Sequence, residues 1–154
     1  CPIAIEVCEH GGHFHGGRPV IEKDHFPLRE TVLDDDEIIT EVILPKSPVG
    51  LRSSYRKVRS RAAWDFAVAG VALGLVFDGD TVRSARVFLS GAAPVPWRAA
   101  GVESVITGAK LDAATIAAAA EATVEGAEPL AENGYKIELF KGLMTEQLGE
   151  LLTS

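Results

Sequence analysis

The chain has 154 residues, enough for one folded domain or for a small domain with a leading segment. Twenty-two acidic and fifteen basic residues give a formal net charge of −7, which argues against nucleic acid or an anionic membrane surface as the main partner. The hydrophobic content of 47% is typical of a globular core, and no apolar run reaches the roughly eighteen residues of a membrane span. These features predict a folded protein outside the membrane.

The first 45 residues show weak strand patterns and one cluster of metal-ligand types. Cys8 and the nearby histidines 10, 13 and 15 invite a zinc interpretation, but structural zinc sites usually come as two separated ligand pairs, so a polar hairpin arm is favoured. Cys1 and Cys8 would lie about 23 Å apart on an extended segment, too far for a disulfide. Reduced thiols indicate a cytoplasmic location. Further on, the range 38–44 alternates as a strand that Pro45 closes.

Three strands are predicted after a linker that spans residues 45–52. They cover Ser54–Arg59, Phe66–Phe77 and Thr81–Ser90, with a turn at residues 78–80 between the last two. Together they form an antiparallel sheet with a buried face that needs covering. On the second strand, Gly70 and Gly74 make one face thin, which suggests that a helix or another backbone packs close to it.

The last third of the chain carries three helical patterns. Pro96 and Gly108 bound a short helix, and Asp112 can cap an alanine-rich one. The range 135–152 repeats apolar residues at spacings of three and four, which is typical of a helix with one buried face. We therefore predict an α+β fold in which a three-helix layer covers a three-stranded antiparallel sheet, preceded by a β-rich segment.

A basic cluster begins within the last residues of the first predicted strand and extends into the loop after it. Lys57, Arg59 and Arg61 with Asp65 can bind an anion, or they can form a solvated basic face. Ser60 and Asp65 are close in sequence, but no histidine in this part of the chain can act as a base between them, so a hydrolytic triad is not predicted. The residues alone leave both interpretations open, and they predict no catalytic residue and no metal ligand.

Several weak motifs in a fixed order carry a resemblance to a known family. The long segment is DEIITEVILPKSPVGLRSSYRKVRSRAAWDFAVAGVALGLVF, residues 36–77, and the ranges 17–26 and 28–33 precede it. Downstream come SGAAPVPWRA, residues 90–99, then Glu103 and Gly108. In this order they resemble the medium, FAD-binding subunit of the molybdenum hydroxylases, which include xanthine dehydrogenase, aldehyde oxidoreductase, carbon monoxide dehydrogenase and 4-hydroxybenzoyl-CoA reductase. The resemblance covers nearly the whole chain.

The resemblance implies both domain organisation and partners. Residues 1–45 would be a C-terminal remnant of the FAD-binding domain, and residues 46–154 the flavoprotein C-terminal domain. The family's glycine-rich pyrophosphate loops lie in its N-terminal half and have no counterpart here, so a C-terminal part of the subunit is expected. Partners would be the missing N-terminal FAD-binding half, an iron-sulfur subunit and a large molybdopterin subunit. Electrons would pass from molybdenum through [2Fe-2S] clusters to FAD, as in an enzyme of the xanthine dehydrogenase type.

The resemblance also implies cofactor-binding residues. In the relatives, the positions that match Ile39 and Lys57 contact FAD, and the loop that matches residues 60–65 lies beside the flavin ring and the access for the electron acceptor. Arg61 and Asp65 would then shape the mouth of the acceptor site. Trp64 would be either a lid over the ring or part of a subunit interface. The sequence Ala-Ala-Trp at 62–64 departs from the charge-rich loop of eukaryotic xanthine dehydrogenase, so the resemblance does not extend to NAD as the acceptor.

Two alternatives belong to other functional classes. The chain can be an assembly module that docks on partner subunits through its helical layer and acidic surface without contacting flavin, an interpretation supported by the lost phosphate loops. The second alternative is a metal-binding hairpin with a folded tail. Only Cys8 and the nearby histidines support this interpretation.

Overall fold

The computed structural model describes residue 38 and the ranges 46–62, 64–93 and 96–153. Its elements, in chain order, are β1 (Leu51–Val58), β2 (Ala69–Asp78), β3 (Thr81–Ser90), β4 (Trp97–Arg98), α1 (Ala100–Ile106), α2 (Ala113–Ala122) and α3 (Tyr135–Thr153). An antiparallel sheet and three helices confirm the predicted α+β class. The predicted strand at 38–44, the histidine cluster and Ile39 fall almost entirely outside the described residues, and the division at residue 45 stays a prediction.

The sheet is antiparallel throughout, in the order β1-β2-β3-β4. Strand β2 pairs with β1 over eight residues and with β3 over nine, from Gly70 to Asp78. Asp78 pairs with Thr81, so Gly79 and Asp80 form a tight two-residue turn. Gly79 has a φ of 57°, in the left-handed region that glycine adopts without steric cost. The hairpin predicted at this position is confirmed.

The structure adds a strand to the predicted sheet and shifts the starts of three predicted elements. A fourth strand, Trp97–Arg98, pairs with β3, and the helix predicted from Pro96 begins only at Ala100. The Ala99 N–H donates to the Val87 carbonyl at 3.0 Å, which extends the pairing with β3 and delays the helix. In addition, β1 begins at Leu51 rather than Ser54, and β2 begins at Ala69 rather than Phe66. Residues 52–54 are polar, so the hydrophobic pattern does not show that β1 already begins at Leu51. These residues belong to the strand because their backbones pair with β2.

The core lies between one face of the sheet and the helices. Strand β2 contributes alternate side chains at 69, 71, 73 and 75, all buried, and they join a single cluster with residues of α1, α2 and α3. The helices thus cover the face opposite to Gly70 and Gly74, contrary to the suggestion that a helix packs on the glycine face. At Gly70, the space that a side chain would need is taken by the Ser90 hydroxyl of the neighbouring strand.

The helices follow from local signals in the sequence. The Asp112 side chain accepts the Thr115 N–H at 2.8 Å and caps α2, as predicted. Helix α3 buries its apolar stripe, with Met144 and Leu148 fully enclosed.

Among the residues that the structure describes, no helix combines the length and apolar character needed to cross a membrane.

A buried carboxylate joins α1 to the edge of the sheet. Glu103, 7% exposed, accepts the Val87 backbone N–H at 3.0 Å, just where β4 no longer pairs with β3. The Arg98 guanidinium donates to both of its oxygens, from Nη2 to Oε2 at 2.6 Å and from Nε to Oε1 at 3.1 Å, and Arg86 lies 3.7 Å from Oε2. Because charge-assisted forked hydrogen bonds of this kind are strong and directional, Glu103 fixes the short strand β4 against β3.

Replacing Leu148 by Ala tests the buried face of α3. Leu148 is fully buried, so its truncation leaves a cavity and should lower the free energy of unfolding by about 2–5 kcal/mol. Leu152→Ala is the matched control, because Leu152 is on the same helix but 49% exposed. Urea unfolding measures both. Equal losses in the two variants would contradict the assigned helix face.

Replacing Glu103 by Gln tests the carboxylate that joins α1 to β3. Burial alone would raise the pKa of Glu103, but hydrogen bonds from Arg98 and the Val87 N–H outweigh it, and the pKa is lowered from its ordinary value of 4.5. A lowered folded-state pKa gives stability that is complete above the ordinary pKa and is lost as pH falls through the folded-state pKa. At pH 7 the variant should therefore lose about 1.5–3 kcal/mol.

The same substitution should flatten the acid limb of the stability curve. The difference between the native chain and Glu103→Gln should shrink as pH falls below 4.5. Urea unfolding across that pH range measures it, with the exposed Glu128→Gln as the control that leaves the curve unchanged. A difference independent of pH would show that the Glu103 charge does not stabilise the fold.

Candidate functional site

The two faces of β1 have different partners. On the helix side, the Arg52 guanidinium donates to the Leu151 carbonyl at 3.0 Å and lies 4.7 Å from the centre of the Phe77 ring. Arg56 lies 3.8 Å from Glu146 of α3. Side chains alternate along a strand, so Tyr55 and Lys57 point to the other face of the sheet. Lys57 and Arg56 therefore lie on opposite faces of the sheet.

The loop between β1 and β2 is organised by one carboxylate. Asp65 accepts the Ser60 hydroxyl at 2.8 Å and the Phe66 N–H at 3.0 Å. It also pairs with the Arg61 guanidinium at 3.2 Å. The Asp65 carbonyl accepts the Lys57 ammonium at 2.8 Å. The loop is therefore tied to the end of β1 by its own polar groups.

Three of the four predicted cofactor-binding residues thus come together. Lys57 and Arg61 both contact Asp65, through its carbonyl and its carboxylate respectively. Ile39, the fourth, lies outside the described residues. The contacts leave binding capacity, because an ammonium has three donors and the bond to Asp65 uses one of them. Arg61 keeps 70% of its side chain exposed despite its ion pair.

Aromatic side chains are exposed on and beside the same loop. Trp64 is 99% exposed and Phe66 93%, and Tyr55, on the Lys57 face of β1, is 63% exposed. Exposed aromatic residues next to cations offer flat apolar surface and positive charge to an aromatic anion. Among the described residues, no three histidine, cysteine, aspartate or glutamate side chains lie close enough together to hold a metal ion.

Sequence reasoning missed two parts of this surface. Phe66 was assigned to the buried strand but belongs to the exposed loop. Tyr55 was not recognised as part of the binding surface. The available signal was Asp65 itself, since aspartate frequently bonds backbone N–H groups nearby and interrupts a strand.

Replacing Asp65 by Ala should loosen the loop while leaving the fold intact. The contacts are exposed, so about 1 kcal/mol of local stability is expected to be lost, which corresponds to about fivefold faster trypsin cleavage after Arg59 and Arg61. Mass spectrometry of the early products measures this. Ser60→Ala, which removes one of the bonds, should have a smaller effect. Unchanged cleavage at both bonds in the Asp65 variant would mean that Asp65 does not organise the loop.

Two curated proteins are similar to most of this chain. It is 38% identical over 125 residues to the aldehyde oxidoreductase FAD-binding subunit PaoB of Escherichia coli, covering 80% of this chain and 36% of that protein. It is 31% identical over 115 residues to the carbon monoxide dehydrogenase medium chain of Hydrogenophaga pseudoflava, covering 73% and 40%. The chain thus spans well under half the length of these relatives.

Solved structures share the fold. A carbon monoxide dehydrogenase from Hydrogenophaga pseudoflava, which lacks the Mo-pyranopterin moiety of its cofactor, matches with a TM-score of 0.69 at 27% identity, over 77% of this chain and 42% of that one. Quinoline 2-oxidoreductase from Pseudomonas putida matches with a TM-score of 0.62 at 22% identity, over 73% and 39%, which shows a common fold alone. The family model of the CO dehydrogenase flavoprotein C-terminal domain matches residues 53–151. The chain belongs to this family.

Proposed function

We propose that this chain is the C-terminal part of the FAD-binding subunit of a molybdenum-dependent oxidoreductase of the xanthine dehydrogenase type. The relatives named above, an FAD-binding subunit and a medium chain, support this assignment. The observation on this chain that carries it is the loop in which Asp65 brings Lys57 and Arg61 beside exposed aromatic side chains. The family model matches residues 53–151, whereas the similarity to the FAD-binding subunit covers 80% of the chain and so includes part of residues 1–45, which supports assigning them to the preceding FAD-binding domain.

The residues of the loop fit a flavin. Its ring system is flat, with an apolar body and a polar edge, so aromatic side chains suit its faces and cationic N–H groups suit its edge. In this proposal Lys57 would donate to the polar edge, and Ile39 would pack on the cofactor. Arg61 and Asp65 would border the opening through which an acceptor approaches. Trp64, which carries an N–H and is fully exposed, is suited either to cover the ring or to bury itself in a subunit contact.

The division of labour follows from these roles. FAD supplies the electron-carrying chemistry when bound, receiving electrons from molybdenum through [2Fe-2S] clusters. The chain positions the flavin edge, holds the loop beside it and limits access, and it makes or breaks no covalent bond itself. Its partners in this proposal are the N-terminal FAD-binding half, an iron-sulfur subunit and a large molybdopterin subunit.

Replacing Lys57 by Met in the assembled complex tests the proposed flavin contact. Methionine keeps an apolar stem but removes the charged donor, and hydrogen bonds to charged groups contribute about 1.5–3 kcal/mol. Flavin affinity should therefore fall roughly tenfold or more. Fluorescence of flavin released from the denatured complex, measured per mole of subunit after dilution, gives the retained fraction.

Arg56→Met is the matched control for this experiment. Arg56 is the neighbouring exposed cation, but it points to the helix side and lies near Glu146. Its variant should keep its flavin. If the two variants retain flavin equally well, Lys57 does not contact the cofactor. A complex that assembles fully but contains no flavin even with Lys57 present would instead favour the alternative role as an assembly module.

A further inference from the structure

A cavity of about 240 Å³ lies on the helix side of the sheet, and its lining residues do not include Lys57, Arg61 or Asp65. It is bounded by the end of β3, strand β4, the connection between α2 and α3, and the first turns of α3. Pockets that enclose drug-sized molecules measure about 300–1,000 Å³, so this one is small. Its size suits one large side chain better than a whole cofactor.

The walls of the cavity are apolar and aromatic. They include Leu89, Trp97, Val124, Ile137 and Phe140. Trp97 is 49% exposed, and two more apolar side chains of the same region, Leu130 and Tyr135, are 75% and 59% exposed. Because exposed apolar groups around a concave surface are typical of contact sites, the region is suited to a partner rather than to water.

Two carboxylates and one ammonium line the cavity. Glu125 and Glu128 are both exposed, so acidic groups outnumber the single basic group of the lining. Lys136 also lines the cavity, and its ammonium donates to the Gly91 carbonyl at 3.0 Å. In the same wall, the buried side-chain oxygen of Asn133 accepts no hydrogen bond. The site therefore presents acceptors and negative charge to an occupant.

We propose that this cavity docks a basic segment of a partner polypeptide by taking up one arginine side chain. The apolar stem of arginine packs against the walls while its charged head stays at the open side, near Glu125 and Glu128. Arginine is favoured over lysine because its planar guanidinium both stacks on aromatic rings such as Trp97 and pairs with carboxylates through two N–H groups. The site is independent of the proposed flavin contact.

The test uses Trp97 as a reporter in the full 154-residue chain. The chain has two tryptophans, and Trp64→Phe leaves Trp97 alone without touching the core, since Trp64 is 99% exposed. The probe is the peptide acetyl-Ala-Leu-Arg-Leu-Ala-amide, with a peptide carrying glutamine in place of arginine as its comparison. We expect a saturable change in Trp97 emission, with a Kd below about 1 mM for the arginine peptide and at least tenfold weaker binding for the glutamine peptide.

Substitutions on the chain locate the binding site. The double variant Glu125→Gln with Glu128→Gln should weaken binding by about tenfold, because it removes both carboxylates while keeping the walls. Glu121→Gln with Glu138→Gln is the matched control, since it removes two exposed charges, one on α2 and one on α3, that do not line the cavity. Ala127→Phe, at the exposed edge, should block binding while the thermal midpoint of unfolding stays unchanged.

Three results would overturn the proposal. One is the absence of a saturable signal with the arginine peptide, and another is an equal affinity for the glutamine peptide. The third is tight binding of indole that the Glu125 and Glu128 substitutions leave unchanged, which would make the cavity an apolar small-molecule site. None of these measurements involves flavin. A negative result would therefore refute the proposed arginine site without bearing on the proposed function.

Discussion

The register of β1 against β2 is the constraint on which the candidate site depends. In a strand, a shift by one residue moves every side chain to the opposite face. Arg52 and Arg56 resist such a shift, because one bonds the Leu151 carbonyl near the end of α3 and the other lies near Glu146. A cation at the C-terminal end of a helix also interacts favourably with the helix dipole. With these two arginines facing α3, Lys57 must face the other way.

Carboxylates with several partners then fix the irregular parts of the fold. Glu103 bonds the free edge of β3 and the Arg98 fork, and so fixes the short strand that carries Trp97. Asp65 does the same for the loop after β1 at the surface. The first site is buried and contributes to stability, whereas the second is exposed and contributes mainly to the shape of the loop. The surfaces proposed for flavin and for a partner both depend on such local supports.

The sequence predicts the elements whose signals are local. The apolar stripe of α3, the Asp112 cap and the Gly79 turn each depend on neighbours within a few residues, and all three are where they were expected. Strand β4 and the start of β1 depend on pairing with distant residues, and their own composition is too polar or too short to reveal it. The exposed position of Phe66 follows from the bonds of Asp65, which no periodic pattern shows. Lys57 and Arg61 both contact Asp65, but their role in binding a cofactor, like that of Ile39, remains an expectation from the family.

The visible absorption spectrum of the native complex, recorded with the masses of the subunits that purify with this chain, tests the central claim most directly. The account predicts a flavin band together with iron-sulfur absorption, and partner masses that include an iron-sulfur subunit, a molybdopterin subunit and the rest of the FAD-binding subunit. A colourless preparation of this chain, free of larger partners, would contradict it and leave only the family membership and the fold.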